Sequence, residues 1–395
     1  MTDVTYSYAK RTNGMKASVI REILKVSSRP DVISFAGGLP SPQSFPLKEF
    51  ERAAQDALRI DGTRALQYAV TEGHAGLKKY LCGWLSKQGI EAPPEQMLFT
   101  NGSQQALDLL GKIFINPGDK ILMEDPTYLG AIQSFNAYQA NYITVKMDED
   151  GMLPEELEKR LKANRFRFAY VVPTFHNPAG STMSLERRKA FLRLAKKYRL
   201  LIIEDDPYSF LRFKGTPIPS LYSLAKGKGV VYLSTFSKLL SPGIRLGYAL
   251  AEKDIIKHLI YAKQAADLQA NTLIQYAVYH YCQRGYLEKH VPAIIKDYKH
   301  RAGVMLDAIK EYFPPEVHCV EPQGGMFVWC IMPRKVKASD VFQKAIRKNV
   351  AFVEGSVFFA NGGGENTMRL NFTSSSDRDI ERGIKILGQV ISSFL

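Results

Sequence analysis

Short apolar runs alternate with helical patterns between residues 96 and 250, and this alternation restricts the chain to a layered α/β architecture with a mostly parallel sheet. The runs fall at 96–100, 120–123, 141–145, 167–172, 200–203, 230–234 and 245–250. Helical spacing fills several intervals, at 104–115, 154–163 and 185–198. After Tyr286 the pattern changes. A long helical stretch runs to about Tyr312, and short strands follow at 317–320, 326–331 and 368–371, with helices near 341–347 and 379–393. A single core stops growing near ~250–300 residues, so a chain of 395 residues is expected to divide. The expected division is an N-terminal segment, 1–48, packed with a small α+β domain at 291–395, and a large domain at 49–290.

With 45% hydrophobic and 23% charged residues, the composition argues against disorder. The net charge of +14 admits nucleic acid, a membrane surface or acidic small molecules as partners. The basic residues are scattered, however. In the densest stretch, 186–199, Phe191, Leu194, Ala195 and Tyr198 form an inward stripe, which assigns the charges to a solvated outer face. No nucleic-acid motif accompanies it, so no nucleic-acid partner is expected. No apolar run reaches the length of a membrane span, and no apolar leader opens the sequence. The expectation is a cytoplasmic protein without a membrane partner. Cys82, Cys282, Cys319 and Cys330 lack metal-ligand or C-x-x-C spacing. Neither a metal site nor a disulfide framework is expected, and a reducing compartment fits.

Four segments carry polar residues where strands end. STFSKLLSPGIRLG, at 234–247, places hydroxyls, Lys238 and Arg245 directly after a strand. Hydroxyls beside an arginine suit a phosphate dianion, through charge-assisted paired hydrogen bonds. A lysine held near that phosphate can form a Schiff base with an aldehyde. TNGSQQALDLL, at 100–110, turns at Gly102 and opens a helix whose free N–H groups make an anion site, or only an ordinary cap. IIEDDPY, at 202–208, runs an apolar strand into three acids, where open α/β sheets bind ligands. One or two of these acids are expected in a solvated loop. PTFHNPAG, at 173–180, fixes a turn that can aim Asn177. His176 reads as a loop histidine.

Together these segments resemble the fold-type-I pyridoxal-phosphate (PLP) aminotransferases, in the branch containing α-aminoadipate and kynurenine aminotransferases. The likeness covers nearly the whole chain: IREIL at 20–24, SFAGGLP at 34–40, QY at 67–68, GMFVW at 325–329, FANGGGEN at 359–366 and MRL at 368–370. Any one motif is weak, but all of them in order are specific. The resemblance implies the PLP-transferase fold, with a large domain and a smaller α+β domain. It makes Lys238 the Schiff-base lysine and Asp205 the acid beside the pyridine nitrogen. Asn177 and Tyr208 are similar to the pair at the phenolic oxygen, and Tyr128 to the residue stacked on the ring. Ser103, Gln104, Thr235, Ser237 and Arg245 resemble the phosphate cradle. Tyr68 resembles a phosphate ligand donated by the second subunit of a homodimer. Arg369 is similar to the arginine that grips the substrate α-carboxylate, with Asn177 and Gly38 beside it. Ala179 and Thr235 stand where relatives often carry Thr and Ser.

The resemblance implies transfer of an amino group from an L-amino acid to a 2-oxo acid such as 2-oxoglutarate. Arg21 is the candidate second contact for an acidic side chain, or else a surface arginine. The segment FAGG, at 35–38, suits aromatic or aliphatic side chains instead. A β-lyase or racemase on the same scaffold would use the same lysine and acid. A PLP-binding regulatory domain would carry a DNA-binding domain ahead of it, whereas here the likeness starts almost at Met1.

Overall fold

The computed structural model describes residues 6–15, 29 and 31–395. Fourteen strands in the described residues form three sheets. The largest contains β2 (Met97–Thr100), β3 (Lys120–Asp125), β4 (Asn141–Asp148), β5 (Gly151–Met152), β6 (Ala169–Val171), β7 (Ile202–Asp205), β8 (Val230–Thr235) and β9 (Gly247–Leu250). Its order is β2-β9-β8-β7-β6-β3-β4-β5. The central neighbours β8-β7-β6-β3-β4 are all parallel, and β9 runs against both β8 and β2. This is the expected α/β layer with a mostly parallel sheet.

The central strands read as continuous apolar runs because both faces are covered. Leu98, Ile121, Tyr170, Ile203, Val231 and Ala249 point to one face, under the helices Ser103–Phe114, Leu129–Asn136 and Lys253–Gln264. The residues between them point to the other face, into the larger core. Each large apolar side chain fully buried this way contributes ~1.5–3 kcal/mol before its ordering entropy is counted. β6, β7 and β8 are buried along their whole length, so the polar residues at their carboxyl ends are held by a rigid floor.

A second sheet, in the order β10-β11-β14-β13, is antiparallel: β10 (His318–Val320), β11 (Phe327–Ile331), β13 (Val353–Glu354) and β14 (Thr367–Asn371). The helix Asp377–Ser392 packs on the long helix Tyr286–Tyr312 beside it. β1 (Ile33–Ser34) pairs in parallel with β12 (Val350–Ala351). Phe35 N–H also donates to Ala351 O, and Asn371 N–H donates to Phe35 O. These bonds lay the 35–39 strap alongside β14, next to Arg369.

Three expectations need correction. Cys319 and Cys330 form a disulfide. Antiparallel β10 and β11 set them directly opposite, with Cα atoms 4.1 Å apart, a proximity that their spacing in sequence conceals. Cys82 and Cys282 are free. Cysteine usage therefore gives no support to a reducing compartment. Arg188 does not lie on the solvated face of its helix. It is fully buried and donates to the carbonyls of Met183, Pro173 and Pro219 and to Thr174 Oγ1, tying the 173–183 loop to the sheet. The third concerns the three acids after β7, none of which is solvated.

Candidate active site

Glu204, Asp205 and Asp206 are all at least 98% buried. A buried carboxylate must be paired or hydrogen-bonded, and each solves this differently. Glu204 accepts the backbone N–H groups of Leu221 and Tyr222. Asp206 accepts Ser209 N–H at 3.0 Å and the Tyr232 hydroxyl at 2.9 Å. Asp205 accepts only the Tyr170 hydroxyl, at 2.7 Å on Oδ2, and its Oδ1 has no partner. Burial pushes its carboxyl up to about 7, against the opposing effect of the Tyr170 bond. A buried anion with one free oxygen is suited to a cationic partner.

Lys238 follows β8, with its Nζ donating to Gly38 O at 2.7 Å. Burial lowers its amine to about 8, helped by the positive charges of Arg369 and Arg245. Arg369 comes from β14 and is 1% exposed. Its Nη1 donates to Asn177 Oδ1 at 2.8 Å and its Nη2 to Ala36 O at 2.9 Å, while Nε has no partner. The guanidinium lies over Phe327 and Phe358, 4.2 and 5.0 Å from the ring centroids. Burial lowers it to about 10, so it stays charged at neutral pH. Asn177 Nδ2 donates to the Tyr208 hydroxyl at 3.2 Å. Arg369, Asn177 and Tyr208 therefore form one chain of contacts, and the strap joins Lys238 to it, since Ala36 O accepts from Arg369 and Gly38 O from Lys238. Tyr128, at the start of the helix Leu129–Asn136, senses Asp205, Arg369 and Arg245, and burial raises it to about 12.

The cradle residues converge on the start of the helix Ser103–Phe114. Gly102 has φ 76°, and a Cβ there would lie 2.5 Å from Arg245 Nη2. A Cβ on Gly247 would lie 2.8 Å from Ser103 N. Only glycine at both places lets the guanidinium and the first-turn N–H groups share one concavity. The Thr235 hydroxyl donates to Ser237 Oγ at 2.9 Å beside them. Gln104 differs: its amide donates to Gly130 O and Ser134 Oγ, so its first-turn backbone N–H is what it offers an anion.

A cofactor with a cationic ring, an aldehyde and a phosphate fits these residues. The free Asp205 oxygen, the softened lysine amine and the anion cradle supply the three complements. Tyr68 does not join the constellation from its own chain. It is 79% exposed, and Ala69 next to it is anchored by its N–H to Gln269 Oε1. Arg21 lies outside the described residues. Among the described residues no cluster of His, Cys, Asp and Glu could hold a metal ion, and no helix is long and apolar enough to cross a membrane.

Several supporting residues escaped the sequence reading. His176 is a loop histidine, as expected, but a buried one. It is 1% exposed, its Nδ1 accepts Ala179 N–H at 3.2 Å, and its Nε2 stands 3.1 Å from Glu124 Oε2. Glu124 also accepts Val172 N–H, so this pair backs the turn that aims Asn177. Lys263 is fully buried and bonds Asp267 and Gln105. Asp267 accepts Asn101 and Gln105, holding the cradle turn from behind. Only the Tyr170 hydroxyl, in the middle of an apolar strand, gave no sequence signal at all.

Comparison with known proteins agrees with this geometry. Residues 30–387 match the family model for aminotransferase class I and II. The chain is 42% identical over 390 residues to aromatic-amino-acid aminotransferase 1 of Thermococcus litoralis, covering 97% of this chain and 94% of that one. It is 42% identical over 392 residues to 2-aminoadipate transaminase of Thermus thermophilus, covering 98% and 97%. The solved structure of α-aminoadipate aminotransferase from Thermus thermophilus, complexed with N-(5'-phosphopyridoxyl)-L-leucine, superposes with a TM-score of 0.92 at 40% identity, covering 98% of this chain and 97% of that one. The chain belongs to the aminotransferase class I and II family, and it is a PLP-dependent transaminase.

Proposed function

We propose that the enzyme has a broad donor range, taking 2-aminoadipate, aromatic and branched-chain L-amino acids, with a 2-oxo acid such as 2-oxoglutarate as acceptor. The relatives named above act, by their names, on aromatic amino acids and on 2-aminoadipate, which supports that range. One observation carries the reading: a buried, charged Arg369 with a free Nε sits in the same contact chain as the Lys238 amine. Any α-amino acid offers a carboxylate to the first and an α-carbon proton to the second.

Bound PLP supplies an electron sink that acidifies the substrate α-carbon. The chain's own residues do the rest. Asp205 pairs with the ring nitrogen, and Tyr208 and Asn177 face the phenolic oxygen. Ser103, Gln104, Thr235, Ser237 and Arg245 hold the phosphate, and Tyr128 covers the ring. Lys238 would hold the cofactor aldehyde between turnovers. Its free amine would be the base that holds and moves the substrate α-proton. A pKa of about 8 leaves roughly a tenth of it unprotonated at pH 7, against under a thousandth for an ordinary lysine. Arg369 orients donor and acceptor alike, which lets one site serve both half-reactions.

The working form in this proposal is a homodimer. Leu47, Leu58, Ile60, Leu66, Tyr68 and Val70 are 48–79% exposed along the helix Leu47–Leu66 and the loop after it. Exposed apolar side chains around this helix and loop suit a two-fold contact that would carry Tyr68 to the neighbouring cradle.

A panel of amino acids added without acceptor, followed by cofactor absorbance, tests the donor range. Conversion with aminoadipate, phenylalanine and leucine is the expected result, and conversion of a single donor would refute breadth. Arg21→Ala should slow aminoadipate more than leucine; equal losses remove Arg21 from the proposal.

A further inference from the structure

We propose that Tyr170 is a positioning residue for the cofactor ring: its hydroxyl holds one oxygen of Asp205 so that the other is presented to the ring nitrogen. The inference rests on the reading of Asp205 as the ring-nitrogen partner and extends it to a residue in the strand behind.

The register of the sheet creates the contact. Tyr170 in β6 stands beside Ile203 in parallel β7, and both side chains enter the same core layer. Asp205 lies two residues further along β7, hence on the same face. The tyrosine side chain spans that offset and no more. Its ring is fixed by Phe135, edge to face at 5.9 Å, and Phe135 is fixed in turn by Phe168 at 5.3 Å. The hydroxyl is therefore delivered to one place, Asp205 Oδ2 at 2.7 Å.

The neighbouring acids show what this arrangement avoids. Glu204 and Asp206 each use both carboxylate oxygens, or share themselves among several donors. Asp205 has one donor and one free oxygen. A carboxylate free to rotate in a dry cavity could offer either oxygen or neither. Binding one oxygen removes that freedom and leaves the other as the only acceptor. The same bond favours the ionised carboxyl, against burial and the adjacent Asp206, which both favour the neutral acid. Tyr128 and Tyr208 nearby are neutral phenols at physiological pH and bring no cation, and the site's cations Lys238, Arg369 and Arg245 are not among the groups that shift Asp205. Tyr170 itself is held well above its ordinary value by burial and by Asp205, so it remains a donor.

The test compares PLP with 1-deazapyridoxal phosphate, in which a CH group replaces the ring nitrogen. Both are titrated into apoenzyme of wild type, Tyr170→Phe, Asp205→Asn and the double variant. Tyr170→Phe removes one oxygen and keeps the ring packing; apoenzyme melting checks that it folds. PLP affinity should fall about tenfold in Tyr170→Phe, the worth of a hydrogen bond to a buried charge. Affinity for the deaza compound should stay within about twofold. The double variant should bind PLP no worse than Asp205→Asn, because the tyrosine acts through the acid. In turnover, kcat should fall while the KM for the amino donor holds. Equal losses with both cofactors, or no loss with PLP, would overturn the role of Tyr170. A wild type that holds both cofactors equally would instead sink the Asp205 reading, and this inference with it.

Discussion

The floor and the rim of the site are built by opposite means. The floor comes from the carboxyl ends of β6, β7 and β8, which are buried throughout, and every polar group there has its place fixed by a named partner. The rim comes from the 35–39 strap, the Tyr68 loop and the turn at Asn177. Two backbone bonds hold the strap beside β12 and β14, and one bond from Ala69 to Gln269 holds the Tyr68 loop. Most of the proposed cofactor contacts sit on the rigid part, with Tyr68 and Asn177 reaching in from the rim. The proposed contacts to the donor side chain lie on the strap, beyond that floor.

The largest test of this division removes the amine. Lys238→Ala should lower turnover by about a thousandfold or more while leaving the melting temperature of the apoenzyme near that of wild type. Activity within tenfold of wild type would move the chemistry elsewhere. Arg369→Lys is next. It keeps the charge but loses the planar fork between Phe327 and Phe358, and kcat/KM should fall about a hundredfold for every donor. A loss confined to acidic donors would make Arg369 a side-chain contact instead of the carboxylate anchor common to every donor.

The sequence showed the floor better than the rim, for a physical reason. Strands buried on both faces leave apolar runs, so the expectation at 230–234 lies within β8, Val230–Thr235. The expected helices at 154–163 and 185–198 coincide with Pro154–Ala163 and Leu185–Tyr198. Lys238, Asn177, Tyr208, Gly38 and Arg369 do meet. What stayed hidden depends on register or on distant partners. Tyr170 in an apolar run reads as core, and only pairing with β7 turns it toward Asp205. His176 and Glu124 come together because one lies in the loop after β6 and the other near the end of neighbouring β3, where sequence shows no link between them. β1 is two residues long and exists only because β12 runs beside it.

At the rim, Tyr68→Phe should weaken PLP binding about tenfold, as expected for one lost hydrogen bond to a charged group, and leave the donor KM unchanged. Mixed dimers sharpen the point. A dimer pairing one Lys238→Ala subunit with one Tyr68→Phe subunit should contain either one site with both defects or two sites with one each. If Tyr68 serves its neighbour, the Tyr68→Phe defect falls on the Lys238→Ala site, and the remaining site binds PLP with wild-type affinity. A remaining site with weakened affinity would assign Tyr68 to its own subunit and undo the proposed dimer geometry.

The smallest expected effect concerns the floor without its cofactor. Asp205 titrates near 3.8 in an unfolded chain and near 7 in the fold, because burial outweighs the single bond from Tyr170. Between these values the folded protein keeps a proton that the unfolded chain has released. The contribution of Asp205 to apoenzyme stability therefore falls as pH rises from about 4 to about 7. Glu204, also raised by burial to about 7, contributes in the same direction, so wild type alone does not isolate Asp205. Asp205→Asn does isolate it, since the amide fills the same space, accepts the same hydroxyl and never ionises. Apo Asp205→Asn should melt a few degrees above apo wild type at pH 8, by about 1 °C per ~1 kcal/mol in a chain this size, and should match it near pH 4. Adding PLP should reverse the order at pH 8, because the ring cation compensates the carboxylate and has nothing to compensate in the amide. A floor shaped for an absent cation must be strained without it. If the two apo proteins melted together at every pH, Asp205 would be a settled structural acid like Glu204, and the contrast between floor and rim would lose its chemical meaning.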